Sequence, residues 1–108
     1  MLTPSKKKEA VNTAKAIIEG TVDLIEGCHI ITSQIRDEVT FKDDLGIFMV
    51  VESDTDDLPL GSTRLYWSAE ALSLKDEIKN NYANRMRSDI VKACQVLIAR
   101  YSWSIQKQ

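Results

Sequence analysis

The stretch "IKNNYANRMRSDIVKACQVLIARYSWSI" (residues 78–105) carries the longest regular pattern in the chain. Its apolar side chains recur every three or four residues, which is the spacing of one face of an α-helix. The members of this stripe are Ile78, Tyr82, Met86, Ile90, Cys94, Leu97, Tyr101 and Ile105. Upstream, Ser68 is placed to cap the helix, and Glu70 adds a negative charge where the helix dipole favours one. The pattern predicts a long C-terminal helix whose weakest point is Asn80-Asn81.

Two further apolar lines with helical spacing run through the first third of the chain. Thr3 and Pro4 suit the start of a helix, because threonine caps free amides and proline fits the first helical position. The apolar phase continues past Gly20, so we expect a continuous or kinked helix rather than one that ends there with Thr21 capping the next. Glycine costs roughly 1 kcal/mol inside a helix. Gly20 and Gly27, one heptad apart, are therefore expected to face the C-terminal helix closely.

The middle of the chain lacks a helical period. The run "GIFMVV" (46–51) is rich in residues that favour strands, so we expect buried extended chain or a short strand there. Its nearest partner is "TRLYW" (63–67), with Pro59 and Gly61 punctuating the segment between them. The expected fold is mainly α: a small bundle of one or two N-terminal helices and the long C-terminal helix. An irregular segment or a short β-hairpin is expected in the middle.

The composition is typical of a single soluble domain, spanning residues 1–108. No apolar run approaches the roughly 20 residues of a membrane helix, and no apolar segment follows the basic N-terminal residues as in a secretion signal. Cys28 and Cys94 fall on helical apolar stripes, and His29 is the one histidine, so no short-spaced zinc ligands occur. We expect a cytoplasmic protein with two reduced core cysteines, no metal and no cofactor.

The charge is distributed unevenly along the chain. The formal net charge is −2, yet residues 36–57 carry eight acids and two bases, a balance of −6. Residues 75–108 carry seven bases and three acids, a balance of +4. The acids are densest in "ESDTDDLPLG" (52–61), with four carboxylates in six residues. This asymmetry is the most informative feature of the composition.

The carboxylates of residues 52–61 match no catalytic or metal-binding pattern. In an EF-hand loop starting at Asp54, Asp56 fits the third position, but Leu58, Pro59 and Leu65 occupy the fifth, sixth and twelfth positions. The chain also contains no phosphate-binding loop, nucleophile elbow or metalloprotease helix motif. We therefore expect a protein that is not an enzyme.

Two roles are expected for the acidic segment. Arg64 is placed to form a charge-assisted pair with Asp54 or Asp56, and Trp67 to close the core beneath the loop. One arginine cannot neutralise every acid, so the remaining acids are candidate contacts to a basic partner. The candidate partner-binding residues, including two apolar anchors if these are exposed, are Asp43, Asp44, Glu52, Asp57, Phe48 and Tyr66.

These residues also carry a resemblance. The pattern S-[DE]-T-D-x-L-P-x-G followed by Arg and Trp resembles the signature of a family of small uncharacterised bacterial proteins, and "LIEGC" (24–28) is similar to theirs. The matching positions are Ser53, Asp54, Thr55, Asp56, Leu58, Pro59, Gly61, Arg64 and Trp67. In size and acidity the chain resembles immunity proteins of bacterial toxin–immunity systems, including contact-dependent growth inhibition. That resemblance implies a cytoplasmic antitoxin, a toxin inhibitor that binds a basic, often nuclease, toxin.

A second class of function is open at this point. The bases of the C-terminal helix, with Trp103, are compatible with a small regulatory or structural domain that binds nucleic acid or a partner helix. Proteins that bind nucleic acid usually show a clear positive excess, and a pI of about 5.4 makes this interpretation the weaker one. Charge reversal at Arg87 and Lys92 separates the two: it abolishes binding under the second interpretation and spares it under the first.

Overall fold

The computed structural model describes residues 3–106, with the backbone alone described at residues 61–62 and 103–106. Helices dominate this range. The elements in chain order are α1 (Pro4–Glu19), α2 (Leu24–Ile35), α3 (Ile47–Asp54), a 3₁₀ helix (Gly61–Tyr66) and α4 (Ala69–Gln106). The chain is therefore mainly helical. The side chains of Trp103 and Ile105, which the sequence placed on the last helix, lie outside the described residues.

Successive α-helices run in opposite directions, because contacts at the start of one helix fall at the end of the next. The pairs that fix these directions are Thr13–Gln34 and Ile17–Gly27 for α1 and α2, His29–Thr55 and Arg36–Glu52 for α2 and α3, and Asp54–Tyr82 and Asp43–Arg100 for α3 and α4. Together with the packing of α1 on α4, this gives an up-down-up-down arrangement around one apolar core.

The core lies between α1, α2, α3 and the part of α4 from Ala83 onward. Its largest fully buried apolar side chains are Phe48, Ile25, Ile31, Ile35, Leu45, Ile90, Leu97 and Val51. Burial of this apolar surface is the dominant favourable contribution to folding. Both cysteines belong to this core as free thiols, as the sequence predicted.

The N-terminal region forms a helical hairpin, so the continuous or kinked helix predicted through Gly20 is wrong. Gly20 has a φ of 78°, in the left-handed region, and its backbone N–H closes the end of α1. Glycine adopts this conformation without steric cost, so the break is encoded locally. The cap of α2 is Asp23, whose carboxylate accepts from the N–H groups of Ile25 and Glu26 at 3.1 and 3.0 Å. Thr21 does not fill that role.

The predicted contact of both glycines with the C-terminal helix is also wrong. Gly20 is exposed, with open space where a Cβ would stand. Gly27 is buried and does allow a close helix approach, but the neighbours are Ile17 of α1 and Val22 of the following turn. The small residue therefore serves the α1–α2 contact instead.

The short β-hairpin predicted in the middle of the chain is wrong. Residues 47–51 open α3, and residues 63–66 belong to the 3₁₀ helix; no residue of 3–106 is in a strand. Strand propensity depends on packing against neighbouring strands, and the described fold offers none. A helix satisfies its own backbone groups while burying Phe48 and Val51 completely.

Helix α4 confirms the long helix predicted from its apolar stripe. Ser68 Oγ accepts from the N–H of Ala71 at 3.1 Å, so Ser68 caps the helix as expected. The helix passes through Asn80-Asn81 unbroken and has 38 residues, which is about 57 Å at 1.5 Å per residue. The other helices are less than half as long, so the first turns of α4 extend past the bundle.

Candidate functional site

The first turns of α4 and the segment before them form an end of the molecule that we call the projecting end (residues 56–67 and 69–78). The bundle reaches α4 as far as Lys79, whose Nζ lies 3.0 Å from Asp23 Oδ1. None of residues 69–81 is buried, whereas Ala83 is only 8% exposed. Apart from the buried Leu58 and Pro59, the described side chains of the projecting end therefore form a solvent-accessible surface carried on α4.

A bidentate ion pair fixes the 3₁₀ helix to α4. Arg64 Nη1 and Nη2 donate to Asp76 Oδ1 and Oδ2 at 2.7 and 2.9 Å. The bonds from Arg64 hold the pKa of the Asp76 carboxyl below its usual value and raise that of the guanidinium. The predicted pairing of Arg64 with Asp54 or Asp56 is therefore wrong, because the arginine turns toward α4.

Asp54 has a different structural role from the one expected. It accepts a hydrogen bond of 2.8 Å from the hydroxyl of Tyr82, which ties the end of α3 to α4. Burial, and then this bond to Asp54, raise the pKa of Tyr82. Asp56 is exposed and makes no ion pair or side-chain hydrogen bond with any residue in 3–106.

The prediction that Trp67 closes the core beneath the acidic loop is wrong. Its side chain is 37% exposed and lies beside Lys75, whose Nζ is 5.9 Å from the ring centroid. The same Nζ lies 3.7 Å from Asp57, which is itself 69% exposed. Leu58, at 8% exposure, and Pro59 are the buried residues of this segment, and Leu60 packs against the core. Trp67 and Asp57 thus share a half-open surface around one lysine.

Two predicted contact residues are held in hydrogen-bonded ion pairs within the chain. Asp43 accepts from the N–H of Leu45 at 2.8 Å and from Arg100 at 3.1 Å, and its pKa is lowered first by that backbone bond and then by Arg100. Glu52 receives two bonds, of 2.7 and 2.9 Å, from Arg36. Both acids join separate elements and are partly neutralised.

The acidic segment does not form one compact patch. Asp43 lies against Arg100 and Asp57 lies near Lys75. These two bases are 25 residues apart on one continuous helix, which corresponds to about 37 Å. Asp44, exposed and without an ion pair in the described part of the chain, adjoins the far group. The acids are therefore divided between two ends of the molecule.

The two predicted apolar anchors have opposite environments. Phe48 is completely buried between helices and cannot contact a partner. Tyr66 is 89% exposed, and its neighbour Leu65 is 84% exposed. Leu65 was not predicted as a surface residue. Its position between polar residues and the cap of α4 is a local signal of exposure that could have identified it. Tyr66 and Leu65 together form the apolar part of the projecting end.

His29 has a structural role inside the bundle. Its Nε2 lies 2.7 Å from Thr55 Oγ1, and the Thr55 hydroxyl donates to the carbonyl of Val51 at 2.6 Å. Because a hydroxyl has one proton, His29 is the donor in the first bond. Among the described residues no group of three or more His, Cys, Asp or Glu side chains is placed to hold a metal ion.

A scan against protein-family models matches none of them, and searches of curated proteins and of solved structures also find no match. The resemblances described from the sequence therefore stay predictions. Within residues 3–106, no helix combines the length and the apolar character needed to cross a membrane.

The Arg64–Asp76 pair leads to the first test. We expect Asp76→Asn to release the 3₁₀ helix, because the neutral amide cannot hold the guanidinium in a charge-assisted bidentate pair. Amide hydrogen exchange in residues 61–67 should become faster, while the bundle amides keep their protection. Asp56→Asn is the matched control and should leave exchange unchanged. Equal effects of the two variants would contradict this assignment.

Proposed function

We propose that the chain is a non-catalytic binding protein that captures a basic protein at its projecting end. The observation that carries the proposal is the pair Leu65 and Tyr66, almost fully exposed beside exposed carboxylates. Large apolar side chains at such exposure are costly in water and are typical of interaction surfaces when they cluster. Tyrosine is also a frequent anchor in protein interfaces.

The charge around these anchors favours a basic partner. Residues 56–78 contain five acids and two bases, a balance of −3. Both bases are engaged, Arg64 with Asp76 and Lys75 with Asp57. Asp56 and Glu70 have no ion pair within the described chain. An acidic surface of this kind speeds encounter with a cation-rich protein and disfavours acidic ones.

The resemblance to immunity proteins gives the biological role in this proposal. The chain would act in the bacterial cytoplasm as the inhibitor of a cognate toxin, for which a basic nuclease is the expected chemistry. Rigid helical support suits such a role, because a preorganised surface loses little conformational freedom on binding. Of the contacts proposed from the sequence, Asp57 and Tyr66 belong to this surface and are kept. Leu65 and Asp56 are added to them.

The alternative, binding of nucleic acid through α4, has weaker support. Three bases of α4 are engaged within the chain: Lys75 with Asp57, Lys79 with Asp23 and Arg100 with Asp43. The exposed bases do not line one face, because Arg85 and Arg87 are two residues apart and so about 200° apart round the helix. A duplex or a partner helix would meet a divided set of charges.

The proposal is tested by titrating the chain against the basic protein encoded beside it. Tyr66→Ala should raise Kd at least about tenfold by speeding dissociation, as expected for a central anchor. Phe41→Ala is the matched control, because Phe41 is 63% exposed at the opposite end near Asp43. Unchanged Kd in Tyr66→Ala, or a larger effect of Phe41→Ala, would reject the projecting end.

Charge variants test the steering component separately. The double change Asp56→Asn and Asp57→Asn should slow association several-fold at low salt, and the difference should shrink as salt screens the charges. Asp37→Asn with Asp44→Asn removes the same charge from other exposed positions and should have little effect. If both double variants slow association equally, only the net charge matters.

A further inference from the structure

A second apolar surface lies on α4 itself. Leu74 is 64% exposed and Ile78 is 54% exposed, and Ala71 precedes Leu74 by one turn. Steps of three and four residues place these three side chains on one stripe of the helix. We call them the α4 stripe (Ala71, Leu74, Ile78).

The α4 stripe points away from the rest of the molecule. Ala83, which is buried against the bundle, lies nine residues after Leu74 and so about 180° round the helix. Asp76, which holds the 3₁₀ helix, is about 200° from Leu74 on the same basis. The stripe is thus separate from Leu65 and Tyr66, and a partner there approaches from the open side of α4.

The stripe matches one heptad of a coiled-coil seam. Ala71 and Ile78 occupy successive a positions of a heptad, and Leu74 occupies the d position between them. In parallel coiled coils, isoleucine at a, here Ile78, with leucine at d favours two strands over higher assemblies. Glu70 then stands at the g position before Ala71, and Lys75 at the e position after Leu74.

These flanking charges match a second copy of the same helix. In a parallel pair, each g residue faces the e residue of the following heptad on the other helix, so Glu70 of one copy meets Lys75 of the second copy, twice by symmetry. In an antiparallel pair, g residues face each other, and Glu70 would meet Glu77. To form such a pair, Lys75 exchanges its contacts with Asp57, at 3.7 Å, and with the Trp67 ring, at 5.9 Å, for the carboxylate of the second copy.

We propose that a second copy of this chain covers the α4 stripe, with the two α4 helices pairing in parallel through Ala71, Leu74 and Ile78. The pairing is short. Arg85 and Lys92 occupy the next a positions and would bring like charges together across the seam, so the contact ends near Asn81. A short seam gives a weak, concentration-dependent dimer, and it does not use Leu65 or Tyr66, the anchors proposed for the basic partner.

Sedimentation equilibrium tests the association. The apparent mass should rise from the monomer value of 12.2 kDa toward twice that value as the concentration increases from about 10 µM to about 1 mM, following mass action. Leu74→Asp should keep the protein monomeric over the whole range. Leu65→Ser removes an exposed leucine outside the stripe and should dimerise like the parent. A monomeric parent at every concentration would overturn the proposal.

Cross-linking tests the parallel register. Leu74→Cys places like positions opposite each other at the two-fold axis, so oxidation should give a covalent dimer. Ser73→Cys is displaced by about 100° round the helix and should give little, while Cys28 and Cys94 are buried. Concentration-dependent dimers in which Leu74→Cys fails to cross-link would overturn the parallel arrangement.

A charge swap tests the pair between Glu70 and Lys75. Glu70→Lys and Lys75→Glu should each weaken dimerisation several-fold, and the double variant should restore it, because the pair is remade with opposite polarity. Restoration is the outcome that a merely structural role of either residue would not produce. Additive weakening in the double variant would remove this pair from the interface.

Discussion

Phe48→Ala should destabilise the protein by about 3–5 kcal/mol, the usual loss for removing a buried aromatic ring. Phe48 is fully buried on α3, between helices. A domain of this size has about 5–15 kcal/mol of stability in total. The variant should therefore unfold at a much lower urea concentration than the parent, as measured by circular dichroism.

Tyr66→Ala is the control for that experiment, because the sequence treated both aromatic residues as possible surface anchors. Tyr66 is 89% exposed, so its removal should change stability by no more than about 0.5 kcal/mol. The two variants therefore separate folding from binding. Comparable destabilisation by both would mean that the environments assigned to these side chains are wrong.

Alkaline pH should destabilise the fold strongly through its two buried thiols. Burial raises the pKa of Cys28 above its ordinary value of 9.0 and that of Cys94 to about 12. An unfolded chain ionises both near pH 9, whereas the folded chain keeps them protonated. The stabilisation is complete below about pH 9, and the free energy of unfolding then falls by about 1.4 kcal/mol per thiol per pH unit. Between pH 9 and 11 the two thiols together remove about 5 kcal/mol.

Urea unfolding at several pH values, with a reductant present, measures this slope. Cys28→Ala with Cys94→Ala should be less stable at pH 7 because of lost packing, yet it should lose less stability between pH 9 and 11. Tyr82 and Tyr101 also have raised pKa values, so the slope should decrease without vanishing. An identical slope in the parent and the double variant would show that the thiols do not control it.

Part of the fold was predictable because the signals were local. The Ser68 cap and the apolar period of α4 depend only on residues near in sequence, and both were predicted correctly. The apolar phase also misled: steps of four residues advance about 40° each, so Ile78 lies about 120° from Ile90 and is 54% exposed. The end of α1 at Gly20 was not predicted, because the apolar periodicity is compatible both with a kinked helix and with a helix that ends there in a left-handed cap.

Helix α3 shows where propensity fails. Val50, Val51 and their neighbours favour strands, but tertiary packing overrides that preference when neighbouring elements are helices. The neighbours of residues 46–51 are helices, so a helix buries Phe48 without leaving strand edges unpaired. Nothing in the six residues themselves carries that information.

The candidate site was predictable only in part for the same reason. The composition identified an acidic segment, but which of its acids form ion pairs depends on residues far along the chain. Arg100 pairs with Asp43, which lies 57 residues away in the sequence. Arg64 pairs with Asp76 although other acids are nearer to it in the sequence. Charge counting cannot reveal such pairs. Tyr66 was predicted as a contact because it is aromatic. Its exposure results from its position in the 3₁₀ helix.

The most direct test of the binding account is a hydrogen-exchange footprint of the chain with its basic partner bound. The account predicts slower exchange in residues 61–67 and in the first turns of α4, with unchanged exchange in residues 37–45. Protection confined to residues 37–45 would place the interface at the opposite end of the molecule. Protection centred on Arg87 and Lys92 would contradict the account and favour the basic face of α4.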